Sequence, residues 1–118
     1  MPGDRFRVRI TNEAKEMVRR IAKKYGRKTY EVLRGLVRDL EFEPEKKGQP
    51  LRGPLRGLHS LHYSRFRVVY RIERDEAVVL VLAAGYHRSD SRSDVYKLIE
   101  RLVEKGHLEI RPGDGDVS

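Results

Sequence analysis

The 118-residue chain contains no cysteine. Disulfide bonds, thiolate zinc sites and cysteine nucleophiles are therefore excluded, and a reducing, cytoplasmic setting is expected. No apolar run approaches the roughly 18 residues of a membrane span, and none near the N-terminus resembles a signal peptide, so no membrane association is expected. Glycine-rich nucleotide loops and the HExxH zinc motif are also missing.

The four histidines do not form a metal-binding pattern. His59 and His62 lie three residues apart in a predicted strand, so they point to opposite faces. We therefore predict no metal ion and no other cofactor. Any catalysis must then come from general acids and bases and from the stabilisation of charge.

The net charge of +8 is unevenly distributed along the chain. Residues 46–74 contain eight Lys or Arg and one acidic residue, a net charge of +7, whereas residues 75–118 contain six and nine, a net charge of −3. A local basic field attracts polyanions. The distribution favours nucleic acid or an acidic protein as a partner, with solubility alone as the alternative.

The N-terminal part of the chain predicts a strand followed by two helices. Residues 5–10 alternate between basic and apolar, as in a strand with one buried face. Thr11 or Asn12 can cap the next helix, whose apolar residues recur every three or four positions over 14–25. A second helix is predicted for 29–42, and the short joint makes the pair an antiparallel hairpin.

The rest of the chain predicts a sheet and a final helix. A basic loop over 44–57 contains three Pro and three Gly. Strands are predicted at 58–63, 66–73 and 77–85, and a helix at 94–105. The fold class is α+β in the order β-α-α-β-β-β-α, a small antiparallel sheet with the helical hairpin on one face and an open opposite face. One domain is expected over 1–110, and a loose tail over 111–118.

Candidate catalytic residues cluster in the last three strands and the segment after them. RNA cleavage by its own 2′-hydroxyl needs a base, a cation for the charged phosphorane and an acid. Arg67, on the open face with Arg71, is a candidate phosphate clamp. His62 and His87 are candidates for base and acid, Arg88 for a second cation, and Tyr96 for stacking on a base. The structural alternatives are solvated strand residues, strand-end polarity and helix packing.

Further basic residues are predicted to bind RNA through its phosphates. They are Lys46, Lys47, Arg52, Arg56, Arg65, Arg71 and Arg92.

An ordered set of short strings resembles the RelE/ParE superfamily of type II toxins. The strings are Leu51-Arg52-Gly53, Leu58-His59-Ser60-Leu61-His62, Phe66-Arg67-Val68-Val69-Tyr70-Arg71-Ile72, the apolar strand to Gly85, and Asp94-Val95-Tyr96. The N-terminal strand and helical hairpin also agree, so the likeness covers nearly the whole chain. No single motif is unique to the family, but the order of the set is fairly specific.

The resemblance to the RelE branch implies a metal-independent endoribonuclease that cleaves mRNA in the ribosomal A site and is inhibited by a cognate antitoxin. The expected partners are the ribosome, mRNA and an acidic antitoxin segment in a hetero-oligomer. The arginine of the family's [YF]R pattern falls on Arg67, and its strand cations fall on Ser60 and His62. The post-strand arginine falls on His87 or Arg88, and the C-terminal aromatic on Tyr96.

The chain departs from this pattern in two places. Ser60 and His62 stand where relatives have a Lys/Arg pair, which points to a histidine base. The segment between Gly85 and Tyr96 is longer than usual in the family, so it is ambiguous whether Arg88 or Arg92 takes the role of the post-strand arginine. Two other functions stay open: a ParE-like inhibitor of DNA gyrase without the catalytic set, and a basic RNA-binding module without activity.

Overall fold

The computed structural model of the chain describes residues 5–87, 95–104 and 115–116. Its strands are β1 Arg7–Ile10, β2 Gln49–Pro50, β3 His59–Tyr63, β4 Phe66–Glu73, β5 Val78–Tyr86 and β6 Gly115–Asp116. Its helices are α1 Asn12–Tyr25, α2 Arg27–Arg38, α3 Pro44–Lys47 and α4 Val95–Glu104. The fold is α+β, as the sequence predicts.

The strands form one sheet in the order β2-β3-β4-β5-β1-β6. All neighbours are antiparallel except β1 and β5, which run parallel. The parallel pair is possible because the helical hairpin carries the chain away from β1 and across the sheet. At the other side of β1, Gly115–Asp116 of the tail that the sequence predicts to be loose pair with Arg9 and Ile10.

Two details of the predicted elements need correction. The second helix is not 29–42: α2 begins at Arg27 and ends at Arg38, and a 3₁₀ turn, Asp39–Glu41, follows it. The segment 44–57 is not a loop throughout. It contains α3, whose first residue is a proline with a backbone already suited to a helix start, and β2, which pairs with β3.

The helical hairpin covers one face of the sheet, as predicted. Apolar residues of β1, β3, β4 and β5 pack there against both helices. The joint is tight because Gly26, at φ 96°, ends α1 and lets α2 begin at the next residue. The largest members of this core are Phe6, Ile10, Ile21, Leu33, Leu40, Leu61, Phe66 and Tyr70.

The opposite face is not fully open, contrary to the prediction. Helix α4 lies on it and buries Val95 and Ile99, which are 1% and 0% exposed. These side chains pack with Val69, Leu80 and Leu82 of the sheet. The amphipathic pattern of α4 demanded an apolar partner, and this face was the remaining apolar surface.

Strand β5 contains an irregularity that affects every residue after it. Val69 pairs with Ala83, but the next residue, Tyr70, pairs with Val81, so Leu82 has no opposite residue in β4. Leu82 and Ala83 consequently pack in the same cluster, beneath α4. Such a bulge shifts the alternation of side chains by one position.

Within the described ranges, none of the helices combines the length and the apolarity needed to cross a bilayer.

The N-cap of α1 gives a test of the fold. Thr11, 2% exposed, accepts a hydrogen bond from the Ala14 backbone N at 3.1 Å, which chooses between the two predicted caps. We expect Thr11→Ala to lower the free energy of unfolding by about 1 kcal/mol, measured in urea. Thr11→Ser should retain most of the stability. Asn12→Ala, at the exposed neighbour, should change it little, and an equal loss in both alanine variants would contradict the assignment.

Candidate active site

Three residues form a row across the face that α4 partly covers. His62 on β3 is opposite Arg67 on β4, and Arg67 is opposite Gly85 on β5. Directly opposed side chains have Cβ atoms about 4.5–5.5 Å apart, so His62 and Arg67 can act on one group. At Gly85 a Cβ would lie 3.1 Å from the Val95 Cβ, so the missing side chain is what lets α4 approach the row.

The Arg67 guanidinium is held at the turn between β3 and β4. Its Nη1 donates to the carbonyl oxygens of Ser64 and Phe66, at 2.8 and 2.9 Å. Within the described part of the chain, Nε and Nη2 make no hydrogen bond. The half-buried side chain is therefore fixed by one nitrogen and keeps others for a ligand. A guanidinium held in this way can donate to phosphate oxygens.

The His62 side chain is exposed beside this cation. The pKa of its imidazole is lowered from 6.5 by partial burial, by the Arg67 guanidinium and by His87, in that order. All three causes disfavour the imidazolium form. His62 is therefore mainly neutral near pH 7 and can accept a proton.

Tyr96 and His87 border the same site. The Tyr96 hydroxyl lies 2.9 Å from the Ser60 Oγ, and its ring stands edge-on to the His87 ring at 5.1 Å between centroids. The His87 backbone N donates to the Arg65 carbonyl oxygen at 2.7 Å, which ties the end of β5 to the β3–β4 turn. The structure thus brings four of the five predicted catalytic residues together, and Arg88 lies outside the described residues.

Ser60 has a role that the sequence did not reveal. Its side chain is 1% exposed, so it cannot take the place of a cation that touches a ligand. Its hydroxyl instead bonds Tyr96 of α4 and fixes the hydroxyl end of that ring. The available signal was its position, two residues before His62 and therefore on the same face of β3.

The predicted RNA-binding residues are spread over the molecule. Exposed Lys46 and Lys47 lie on α3, at the opposite end of the sheet, where Glu45 pairs with Arg74 of the β4–β5 turn at 3.7 Å. The structure does not bring these lysines to the site. Arg65, in the β3–β4 turn, adjoins it.

Two other predicted cations border a cavity of about 210 Å³ beside β4. Arg56 and Arg71 line it, and the Arg71 Nε pairs with the Glu73 Oε1 at 2.6 Å. Arg52 is exposed in the preceding loop. Arg92 lies outside the described residues. In those described, no group of three or more His, Asp or Glu side chains is arranged to hold a metal ion.

Known proteins share this fold and part of this sequence. A sequence model described as the ParE toxin of the type II toxin–antitoxin system parDE matches residues 8–91, well over half of the chain. The chain therefore belongs to this family of type II toxins, within the RelE/ParE superfamily.

Individual relatives agree with this assignment. The chain is 37% identical over 59 residues to toxin RelG of Mycobacterium tuberculosis, covering 50% of this chain and 62% of RelG. The RelBE2 toxin–antitoxin complex of the same organism aligns with a TM-score of 0.62 and 25% identity, over 70% of this chain and 99% of the solved one. The isolated RelE toxin of E. coli, 21% identical, aligns with a TM-score of 0.58 over 86% and 97%, which supports the fold.

The Ser60–Tyr96 contact predicts a non-additive pair of mutations. Tyr96→Phe leaves the buried Ser60 hydroxyl without this partner, at a cost of about 1–3 kcal/mol in unfolding free energy. Ser60→Ala should cost about 1 kcal/mol. Because both remove one hydrogen bond, the double variant should cost less than the sum. Urea unfolding of all four proteins measures the coupling, and strict additivity would show that the two hydroxyls do not interact.

Proposed function

We propose that this toxin is a ribosome-dependent endoribonuclease that cleaves mRNA and thereby stops translation. The main support is the opposition of His62 and Arg67 across β3 and β4, with His87 and Tyr96 beside them. A neutral imidazole next to a fixed guanidinium is suited to catalyse the attack of a ribose hydroxyl on the neighbouring phosphate: the imidazole can accept the proton and the guanidinium can stabilise the charge.

In the proposed reaction, His62 takes the proton from the 2′-hydroxyl as its oxygen bonds to phosphorus. Arg67 stabilises the additional negative charge of the phosphorane. The bond from phosphorus to the 5′ oxygen then breaks, and His87 supplies the proton to that oxygen. The products are a 2′,3′-cyclic phosphate and a 5′-hydroxyl, without a metal or cofactor. Tyr96, with its hydroxyl held by Ser60, offers its ring to a base.

A ParE-like inhibitor of DNA gyrase is the second candidate, because the family model that matches the chain is that of ParE toxins. The two functions differ in what they require of the site. Gyrase inhibition needs a protein-binding surface and no proton transfer. The position of His62 opposite a fixed arginine therefore favours the nuclease.

The proposed partners are the ribosome with its mRNA and a cognate antitoxin, in the cytoplasm. Structures of similar toxins include the RelBE2 complex and the intact E. coli RelBE complex, the latter at 20% identity. An acidic antitoxin segment would cover the face of Arg67 or displace α4 from it. The net charge of +7 over residues 46–74 supports an acidic partner.

Loss of the Arg67 cation should abolish toxicity without unfolding the protein. A missing transition-state donor typically costs about 10²–10³ in rate, whereas a partly exposed strand residue changes stability by about 0.5 kcal/mol. Wild type should produce new mRNA ends inside translated frames, seen by primer extension after induction, and Arg67→Ala should not. Arg7→Ala, an exposed arginine on β1, is the control.

Two results would count against the nuclease. Intact mRNA together with trapped gyrase–DNA complexes in cells expressing wild type would support the ParE-like function. A folded Arg67→Ala protein that still cleaves mRNA would reduce Arg67 to a solvated residue.

The lowered pKa of His62 predicts a pH dependence. A base must be unprotonated, so single-turnover cleavage on programmed ribosomes should rise with pH through the His62 pKa. Because partial burial, Arg67 and His87 lower that pKa, the midpoint of the rise should lie below 6.5. The limb should disappear in His62→Gln. A rate that instead climbs steadily beyond pH 8, with His62→Gln close to wild type, would remove His62 from the base role.

A further inference from the structure

An aromatic cluster occupies the hairpin side of the sheet, at the same end as the candidate site. Phe66 contacts Tyr25 and Tyr86 edge-on, with centroids 4.9 and 5.4 Å away, and Tyr63 at 6.4 Å. Tyr25 and Tyr86 are nearly parallel at 5.7 Å. Phe66 is buried, but the three tyrosines are only half-buried, so part of each of these residues is exposed to solvent.

The chain around the joint between α1 and α2, which contributes Tyr25 to this cluster, is strongly basic. Residues 17–30 contain six Lys or Arg and no acid, and all six side chains are exposed. The Lys24 Nζ lies 5.4 Å from the Tyr25 ring centroid. Two of the six pair with nearby acids, but Lys23 and Lys28 have no ion pair with a described residue. Exposed Arg65 adds a cation at the β3–β4 turn.

The cluster adjoins the candidate site around the end of the sheet. Phe66 is opposite Tyr86, and the next pair along the same strands is Arg67 opposite Gly85. Successive pairs are about 3.3 Å apart along a strand and face opposite sides. A chain of nucleotides that leaves Arg67 can therefore pass the β3–β4 turn and reach the tyrosines.

We propose that Tyr25, Tyr63 and Tyr86, with Lys23 and Lys28, form a second binding surface for single-stranded RNA. The name tyrosine surface is used for these five residues. Aromatic rings among cations are the usual means of binding single strands, because each base offers a flat face and each nucleotide a phosphate. An acidic peptide fits the surface less well, because its apolar side chains would need a concave site. The cavity of about 300 Å³ between α1, α2 and the sheet offers such a site, but none of these five residues lines it.

The surface deepens the proposed function, since it lengthens the contact with the same RNA, but its binding can be measured without cleavage. A suitable probe is a labelled 12-nucleotide 2′-O-methyl-oligouridine, which has no free 2′-hydroxyl to attack. Fluorescence anisotropy gives its Kd over a series of salt concentrations.

Lys23→Ala/Lys28→Ala should raise the Kd about tenfold. It should also lower the slope of log K against log salt by about 1.4, since each phosphate contact on a single strand contributes about 0.7. The control Arg7→Ala/Arg74→Ala removes two exposed cations near the other end of β4 and β5 and should bind as wild type does. All four substitutions are at exposed positions, so urea unfolding should show little change.

Stacking is tested separately through intrinsic fluorescence. The chain contains six tyrosines and no tryptophan, so RNA that stacks on the rings should quench tyrosine emission. Tyr63→Leu should weaken binding and reduce the quenching, whereas Tyr63→Phe, which retains a ring, should bind with nearly the wild-type Kd.

Wild-type Kd and salt slope in Lys23→Ala/Lys28→Ala would overturn the proposal. So would a variant that loses affinity for oligoglutamate but not for RNA, since the surface would then serve an acidic protein. These results are independent of catalysis. Absence of cleavage on ribosomes would reject the nuclease and leave the oligonucleotide measurements standing, and unchanged oligonucleotide binding would reject only the tyrosine surface.

Discussion

The burial of β5 on both of its faces is the constraint on which the other parts of the structure depend. Seven successive residues from Val78 to Ala84 are buried, and they contribute to both apolar clusters. On one side the strand packs against the helical hairpin, and on the other against α4. It also pairs with β1 and β4, so five elements are positioned by one nine-residue strand. Few sequences other than a nearly continuous apolar run could satisfy these neighbours.

The candidate site combines residues of the β3–β4 hairpin with a residue of α4, a helix that packs on the sheet. His62 and Arg67 are fixed by the β3–β4 hairpin, and Arg67 is anchored further by two carbonyl oxygens of the same hairpin. Tyr96 comes from α4, which approaches closely because two sheet positions are small, Gly85 and Ser60. His62 and Arg67, the proposed base and phosphate ligand, therefore belong to the sheet, and Tyr96, which is proposed to stack on a base, belongs to a helix docked on it.

Much of this arrangement was predictable from the sequence because it depends on local periodicity. Alternation in 66–73 placed Arg67 opposite the hairpin face, and the apolar run 77–85 identified the central strand. The order in which the strands pair could not be predicted in this way, because it depends on contacts between distant segments. The parallel pairing of β1 with β5 and the short strand at Gln49–Pro50 leave no periodic signal. A strand of two residues is too short to show alternation.

The grouping of the candidate residues was predictable to a similar extent. His62, Arg67, His87 and Tyr96 were found from residue type and position, and the structure brings them together. The role of Ser60 was hidden, because a hydrogen bond between residues 36 apart has no sequence signature. The basic tract over 17–30 was visible in the sequence, but its place beside three tyrosines depends on tertiary packing.

The bulge at Leu82 determines which face of the sheet each later residue of β5 occupies. If the same residues formed a regular strand, with Leu82 and Ala83 on opposite faces, every side chain from Ala83 onward would exchange faces. Tyr86 would then turn toward the catalytic side, and the space that admits Val95 would be lost with the reversal of Gly85. The offset of one residue against β4 therefore places Gly85 beneath α4 and Tyr86 on the side of the helical hairpin.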